Sequence, residues 1–362
     1  RLKTTDSLKK VIDQGQAALR TLLSDVPFVE IRQVTHDEQP GRVDLLVEIT
    51  AAGKPYNLIC EIISNGQPRY VSGALLRLRN VSAPARNEYI PLLIAPYLSP
   101  ATRLLCRQNQ VNCLDLMGNA FITFDKVYIN REVPDQPRGE RREMKSLFRP
   151  RSALVLKAML RDPGKPWRVA DLAQVTGVSL GHVSNVRAGL LDREWAAKGD
   201  AGIYLTKPDE LLDTWKDNYE PPSGKPMSFY TTLHGSAFET AARDALAQCK
   251  TSKTSQGIAA FASFTAANWL APYGRNSNRY FYANESGMAA LVEALKLAPA
   301  TKGANVTITV PDDWGVFSDL EEPAPGAVCT SLIQTYLDLS IAGERGEESA
   351  EYLRQEKMKW SE

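Results

Sequence analysis

Two sets of residues have the types and spacing to do chemistry. The first is a pair of acids, Asp44 at the start of one strand candidate and Glu61 late in the next. The short hairpin between those strands brings both carboxylates to one end of a sheet, where hard oxygen ligands suit a divalent cation such as Mg²⁺. Arg69, one turn into the following helix, is permanently charged and a poor proton shuttle. The blander reading is that Asp44 and Glu61 are unrelated strand-end acids. The second set is a polar flank of Ser179, Gly181, His182, Ser184, Asn185 and Arg187, followed by Lys198. Asn185 suits the edge of an adenine, Arg187 a guanine or a phosphate, and Lys198 a phosphate.

Other chemistry finds little support. His36, His182 and His234 lie far apart with no metal-ligand spacing. Lys253-Thr254-Ser255 lacks the glycines of a phosphate loop, and Gly235-Ser236 lacks the frame of a nucleophile elbow. Cys60 has an acidic neighbour in Glu61, which opposes a reactive thiolate. Asp115 and Asn119 are expected to hydrogen-bond the turn they flank. Asp312-Asp313 reads as a solvated loop.

The polar flank requires a particular scaffold, and Trp167 to Leu205 has its signals. Val169, Leu172 and Ala173 fall at helical spacing up to about Thr176, Gly177 supplies a sharp turn, and Ser179 is a good N-cap. Val183, Val186 and Leu190 form the buried stripe of the second helix, with the polar flank opposite. The run after Trp195 reads as a two-stranded wing turning at Gly199-Asp200-Ala201-Gly202. This is a winged helix-turn-helix whose second helix would read a major groove. Acids and bases are nearly balanced over residues 149–220, so a winged domain used only for protein contacts is the alternative.

The acid pair sits in an α/β unit of residues 1–130. An amphipathic helix (Leu8, Val11, Ile12, Ala18, Leu19, Leu22) precedes strands over 28–34, 43–49 and 56–63, with Ala52-Gly53-Lys54-Pro55 as a hairpin turn. A helix over 70–78, a strand over 89–95, a helix over 100–109 and strands over 112–115 and 120–124 complete it. Gly41-Arg42-Val43-Asp44 and the run Cys60 to Arg69 resemble the PD-(D/E)xK restriction-endonuclease-like fold, over about residues 5–130. That resemblance implies metal-binding acids at Asp44 and Glu61 and a lysine where Ile63 stands, so the expected module is folded but non-catalytic.

Residues 131–150 carry prolines and a high density of Arg and Lys without apolar periodicity, and read as a basic linker or a phosphate-contacting arm. A winged unit over 151–220, with helices over 152–160 and 209–218, is followed by a boundary at Pro221 to Pro226. Residues 227–362 read as a second α/β unit: helices over 237–248, 288–297 and 348–357, strands over 280–283 and 306–310, and a strand end feeding a helix over 328–339.

In that last unit, Gly303-Ala304-Asn305-Val306, Pro311-Asp312-Asp313, Gln334 to Leu339 and Arg345 to Glu351 resemble AbiEi-type antitoxins of type IV toxin–antitoxin systems. With the winged segment the resemblance spans roughly residues 150–362. It implies a transcriptional repressor of its own operon that counteracts a nucleotidyltransferase-type toxin, with Ser179 to Arg187 as operator reader. The additional N-terminal unit departs from the simplest members. In physical terms, Tyr336, Leu337 and Leu339 are expected in a helix core, and Arg345 in a weak local ion pair.

A chain of 362 residues implies two or three domains, and 43% hydrophobic with 23% charged residues is an ordinary globular mixture. Net charge is +1, so contacts to nucleic acid must be local. Five scattered cysteines without a CxxC pair suggest reduced thiols, and no apolar run approaches a membrane span, so a cytoplasmic protein is expected. The functional expectation is a DNA-binding regulator, dimeric on double-stranded DNA, without cofactor or membrane association. The alternatives are a sequence-directed endonuclease using Asp44, Glu61 and Mg²⁺, and a protein-binding antitoxin with little affinity for DNA.

Overall fold

The computed structural model describes residues 2–36, 44–82, 89–134, 136–251, 257–274 and 276–360. The Gly41-Arg42-Val43 run and Lys253-Thr254-Ser255 fall outside them. The protein is a mixed α/β molecule with two compact units, one of residues 1–143 with 188–194 and one of residues 144–187 with 195–362.

The first unit is built on a seven-stranded sheet whose strands follow one another in chain order. Helix α1 (Leu2–Ser24) leads into β1 (Val29–His36), β2 (Leu45–Ala51) and β3 (Lys54–Ile62), an antiparallel meander. Next come α2 (Pro68–Ser82), β4 (Tyr89–Ala95), α3 (Pro100–Gln108) and β5 (Asn112–Asp115), with β3, β4 and β5 parallel. β6 (Ala120–Phe124) and β7 (Val127–Arg131) close the sheet antiparallel; β7 carries a stretch the sequence reading left out of any strand.

Alternation along β3 divides the core. Leu58, Cys60 and Ile62 join the cluster under α1, whereas Ile59 joins the one built on Val71, Ala74, Leu75 and Leu78 of α2. Glu61 has the parity of Ile59 and thus the α2 side of the sheet. Asp115 fixes the turn after β5: its carboxylate accepts from the backbone N–H groups of Leu98, Met117 and Asn119 and from the Asn119 amide.

Helix α4 (Arg138–Leu147) occupies what the sequence presents as a linker. Its Glu140 accepts 3.0 Å from Arg193 and 2.9 Å from the Gln67 amide, and this pairing with distant partners leaves no local periodic signal.

In the second unit, α5 (Pro150–Arg161), α6 (Val169–Thr176), α7 (Leu180–Asp192), the hairpin β8 (Ala196–Gly199)–β9 (Gly202–Leu205) and α8 (Pro208–Asp217) lead to a five-stranded sheet. The last residues of α7, from Ala188, segregate with the first unit. The sheet comprises β10 (Gly224–Tyr230), β11 (Ala259–Phe261), β12 (Arg279–Ala283), β13 (Ala298–Pro299) and β14 (Val306–Pro311), in the order β11-β12-β14-β10-β13. Helices α9 (Gly235–Thr251), α10 (Ser263–Leu270) and α11 (Glu285–Ala294) pack on it, and α12 (Leu332–Ser340) and α13 (Glu344–Lys357) pack on each other and on α10.

β10 includes part of the proline-rich stretch read as a boundary. Pro226 is tolerated because only β14 pairs with the strand at that position, β13 reaching no further than Phe229 and Tyr230. Gly224 is required there, since a Cβ would lie 2.3 Å from the Val310 carbonyl oxygen. Among the described residues no helix is long and apolar enough to cross a membrane. All five cysteines are free thiols.

Candidate nucleic-acid interface

The turn between α6 and α7 rests on Gly177, at φ 68° and ψ 13°, a left-handed conformation that glycine adopts without strain. A Cβ there would meet no atom within 4 Å, so the requirement is conformational rather than steric. The Ser179 carbonyl accepts the Val183 N–H at 3.0 Å, which places Ser179 at the head of α7 as the sequence suggests. Val183, Val186 and Leu190 are buried, whereas Ser179, Gly181, Ser184 and Asn185 are exposed. Gly181 adjoins open space, and Arg187 is half-buried.

His182 is placed differently from its exposed neighbours. Its Nε2 lies 3.0 Å from the hydroxyl of Ser152, a buried residue of α5 that itself donates to the Ser146 carbonyl. The ring is therefore engaged in holding α7 to α5.

The β8–β9 hairpin has a third participant. Trp167 pairs with Ile203 through reciprocal backbone bonds of 2.7 and 2.9 Å. Gly202 permits this approach, because a Cβ would lie 2.3 Å from the Trp167 carbonyl oxygen. Lys198 and Asp200 stand exposed on the hairpin. The surface also shows two large apolar side chains, Val175 at 64% and Leu180 at 57% exposure.

In the first unit, Asp44 and Glu61 do lie across adjacent chain segments: the Asp44 N–H donates to the Cys60 carbonyl, and β2 pairs with β3 from Leu45 opposite Cys60. Burial raises both carboxyl pKa values above the ordinary range, opposed at each by the positive charge of Arg77. Asp44 Oδ2 accepts the Ile62 N–H at 2.6 Å. Glu61 Oε1 accepts from Arg77 Nε at 2.7 Å and from the adjacent guanidinium nitrogen at 2.5 Å.

Arg77 of α2 is the residue the sequence reading missed; a helical Arg sixteen positions beyond the acid gives no local signal. Arg69, singled out instead, lies 3.8 Å from Asp192. A divalent cation does not fit this donor set. One oxygen of each acid is engaged, a guanidinium occupies the place beside Glu61, and Ile63 offers no base. No cluster of three or more His, Cys, Asp or Glu with metal-holding geometry occurs among the described residues. Burial, with the charge of Asp44 second, pushes the Cys60 thiol up; Glu61 is not the cause.

A second group missed from sequence is a buried polar chain in the second unit. Lys157 Nζ donates to Gln334 Oε1 at 2.7 Å, and the Gln334 amide donates to the Tyr219 hydroxyl and to Asp338 Oδ1 at 2.8 and 2.9 Å. Gln334 and Asp338 lie four residues apart among the buried side chains of α12, including Tyr336, Leu337 and Leu339. Polar residues at that spacing in an apolar helix are the available sequence signal.

The fold is thus a mixed α/β protein whose second unit joins helices α6 and α7, the Gly177 turn and a hairpin to an α/β sheet. Residues 204–359 match the profile of the family described as "Transcriptional regulator, AbiEi antitoxin, Type IV TA system". The expected resemblance therefore holds over that stretch, which is narrower than roughly 150–362 and begins inside β9. No curated protein and no solved structure matches the chain significantly.

Proposed function

We propose that the protein is a DNA-binding transcriptional regulator, the antitoxin and autorepressor of a type IV toxin–antitoxin-like operon. The observation that carries the reading is the division of α7: Val183, Val186 and Leu190 are buried while Ser179, Ser184 and Asn185 face outward after the Gly177 turn. That is the disposition of a recognition helix in a winged helix-turn-helix. The family match over residues 204–359 supports regulation as the role and the toxin of a type IV system as the counterpart; the nucleotidyltransferase class of that toxin is what the resemblance implies.

In this mechanism Ser184, Asn185 and Arg187 meet base edges, with Asn185 suited to adenine N6 and N7 and Arg187 to guanine O6 and N7 or a phosphate. Lys198 on the hairpin supplies a cation for phosphate. A dimer on a two-fold operator would double the contact.

The chain acts without catalysis of its own. The Arg77–Glu61 pair and the Ile63 side chain support this, because they replace the metal site and base that cleavage would use. The test is footprinting on the DNA upstream of its own gene, with the Asn185→Ala/Arg187→Ala double variant as control. Protection lost in the variant supports the reading. Protection that persists, or no protection by the parent chain on any upstream fragment, counts against it.

A further inference from the structure

The second unit contains a cleft of about 1040 Å³ between α9, α10 and the start of α13. It lies wholly within the region matching the family profile, and no role proposed above uses it. Small-ligand sites are typically about 300–1,000 Å³, so this one is large enough for a multi-part ligand.

Its inner wall is aromatic. Phe238 and Phe261 are buried there, and Trp269 stacks on Phe261 with ring centroids 6.1 Å apart and planes 21° apart. The half-exposed Trp269 lines the cleft as a flat ring held by Phe261, with the Arg243 guanidinium carbon 5.7 Å from its centroid. Planar heteroaromatic rings stack on such surfaces, as bases do on aromatic side chains in general.

The rest of the lining is polar and of both signs. The Arg279 guanidinium carbon lies 5.7 Å from the Phe238 ring centroid, and the group donates to the Asn276 carbonyl, which fixes it at the wall. Arg345 stands exposed at the rim. Asn268 is exposed beside Trp269, and Glu239 and Glu348 add carboxylates. The N-terminus of the long helix α9 opens at Gly235 with no acid in its first turn.

A purely anionic ligand would be opposed by the carboxylates, and an apolar one by the arginines and amide. A ligand with a flat ring, hydroxyl donors and an anionic group satisfies all of them. We infer that this cleft binds a nucleotide, with the base on Trp269, the base edge toward Asn268, sugar hydroxyls toward Glu239 or Glu348, and phosphate toward Arg279 and Arg345. The site would give the regulator a small-molecule input, and it holds whether or not α7 reads DNA.

The same chemistry is offered by a free nucleotide and by one unit of a single strand, so both are tested. Calorimetric titration of the full chain uses ATP, GTP, CTP and UTP singly to about 1 mM, the weak limit of interest, and then a short single-stranded RNA. The parallel variants are Trp269→Ala, Arg279→Ala, Asn268→Ala and Arg345→Ala. The last two alter exposed side chains, so a folding defect in the first pair leaves the test intact.

Binding of a free nucleotide that weakens roughly tenfold or more in the folded variants, about 1.4 kcal/mol each, supports the site. The same losses seen only with the RNA also support it and assign the strand as source. No binding of either probe, or binding that every folded variant retains, overturns it.

Discussion

Lys157 Nζ donates to Gln334 Oε1 at 2.7 Å, and this bond ties α5, which precedes α6 and α7, to α12 in the α/β part of the second unit. Lys157 also donates to the Gly315 carbonyl at 3.0 Å. Gln334 passes the connection to Asp338 and to Tyr219, which follows α8. The second unit is thus joined internally by a buried polar chain, which is costly to break because each member then loses its partner in a water-poor setting.

The chain carries a pH signature. Burial raises the Asp338 carboxyl to about 6 and lowers the Lys157 ammonium to about 8. A carboxyl whose folded pKa is raised contributes stability that is fully present below the ordinary carboxylate range and lost as pH rises through about 6. An ammonium whose folded pKa is depressed contributes stability that is present above the ordinary lysine range and lost as pH falls through about 8. Their joint contribution is therefore smallest between those two values. Thermal unfolding across pH 4–7, roughly the range over which Asp338 titrates, should show Tm falling with rising pH from this group. Asp338→Asn should flatten that slope; an unchanged slope in a folded variant would remove Asp338 from the account.

DNA binding should respond differently to the two kinds of contact. Asn185→Ala should cost about 1–3 kcal/mol on the preferred operator and relax discrimination at one base pair. Lys198→Ala should weaken all sequences alike and reduce the slope of log K against log salt by about 1. Gel shifts over a salt series with operator and scrambled DNA check both. His182→Ala should act chiefly on stability, since its ring is bonded to buried Ser152. A base-specific loss in a fully stable His182 variant would return that residue to the reading face.

What sequence revealed and what it hid divide along physical lines. Val183, Val186 and Leu190 recur at the helical period, Gly177 marks its own turn, alternation announces β2, and continuous apolar runs announce β3 and β4, so these were legible in local pattern. Asp115 and Asn119 form the turn expected of them. The pairs Arg77–Glu61, Arg193–Glu140 and Lys157–Gln334 join residues far apart in sequence, and nothing in the spacing of one partner specifies the other. For that reason α4 reads as a charged connector although it is a helix, and Arg77 is overlooked beside the nearer Arg69. The acid pair itself was found, but its neutralising partner was not.

Arg77 should behave as the counter-charge of Glu61. The Glu61 side chain is 10% exposed and that of Arg77 is 54% exposed, so solvent screens the pair on one side. Arg77→Ala should cost about 1–3 kcal/mol in urea unfolding, below the range for a fully buried pair that loses one member. Glu61→Gln in the same background should recover part of that loss, because it removes the stranded charge. Strictly additive effects in the double-mutant cycle would rule out the coupling.

Gly202 offers the most direct test of the three-segment hairpin. Its φ of 147° lies where a side chain is rarely found, and an added Cβ would meet the Trp167 carbonyl oxygen at 2.3 Å and the carbonyl carbon at 2.5 Å. Both atoms belong to backbone that is bonded on each side to Ile203, so neither can retreat without losing a hydrogen bond. Gly202→Ala should therefore destabilise by about 2 kcal/mol or more, the strain of the conformation adding to the clash. Gly181→Ala is the control: a Cβ there meets open space, and an alanine within a helix is favoured by about 1 kcal/mol over glycine. Denaturation of the two variants side by side should show a loss for Gly202→Ala and neutrality or a gain for Gly181→Ala. Equal stability of the pair would mean that Trp167 does not hold the hairpin in solution.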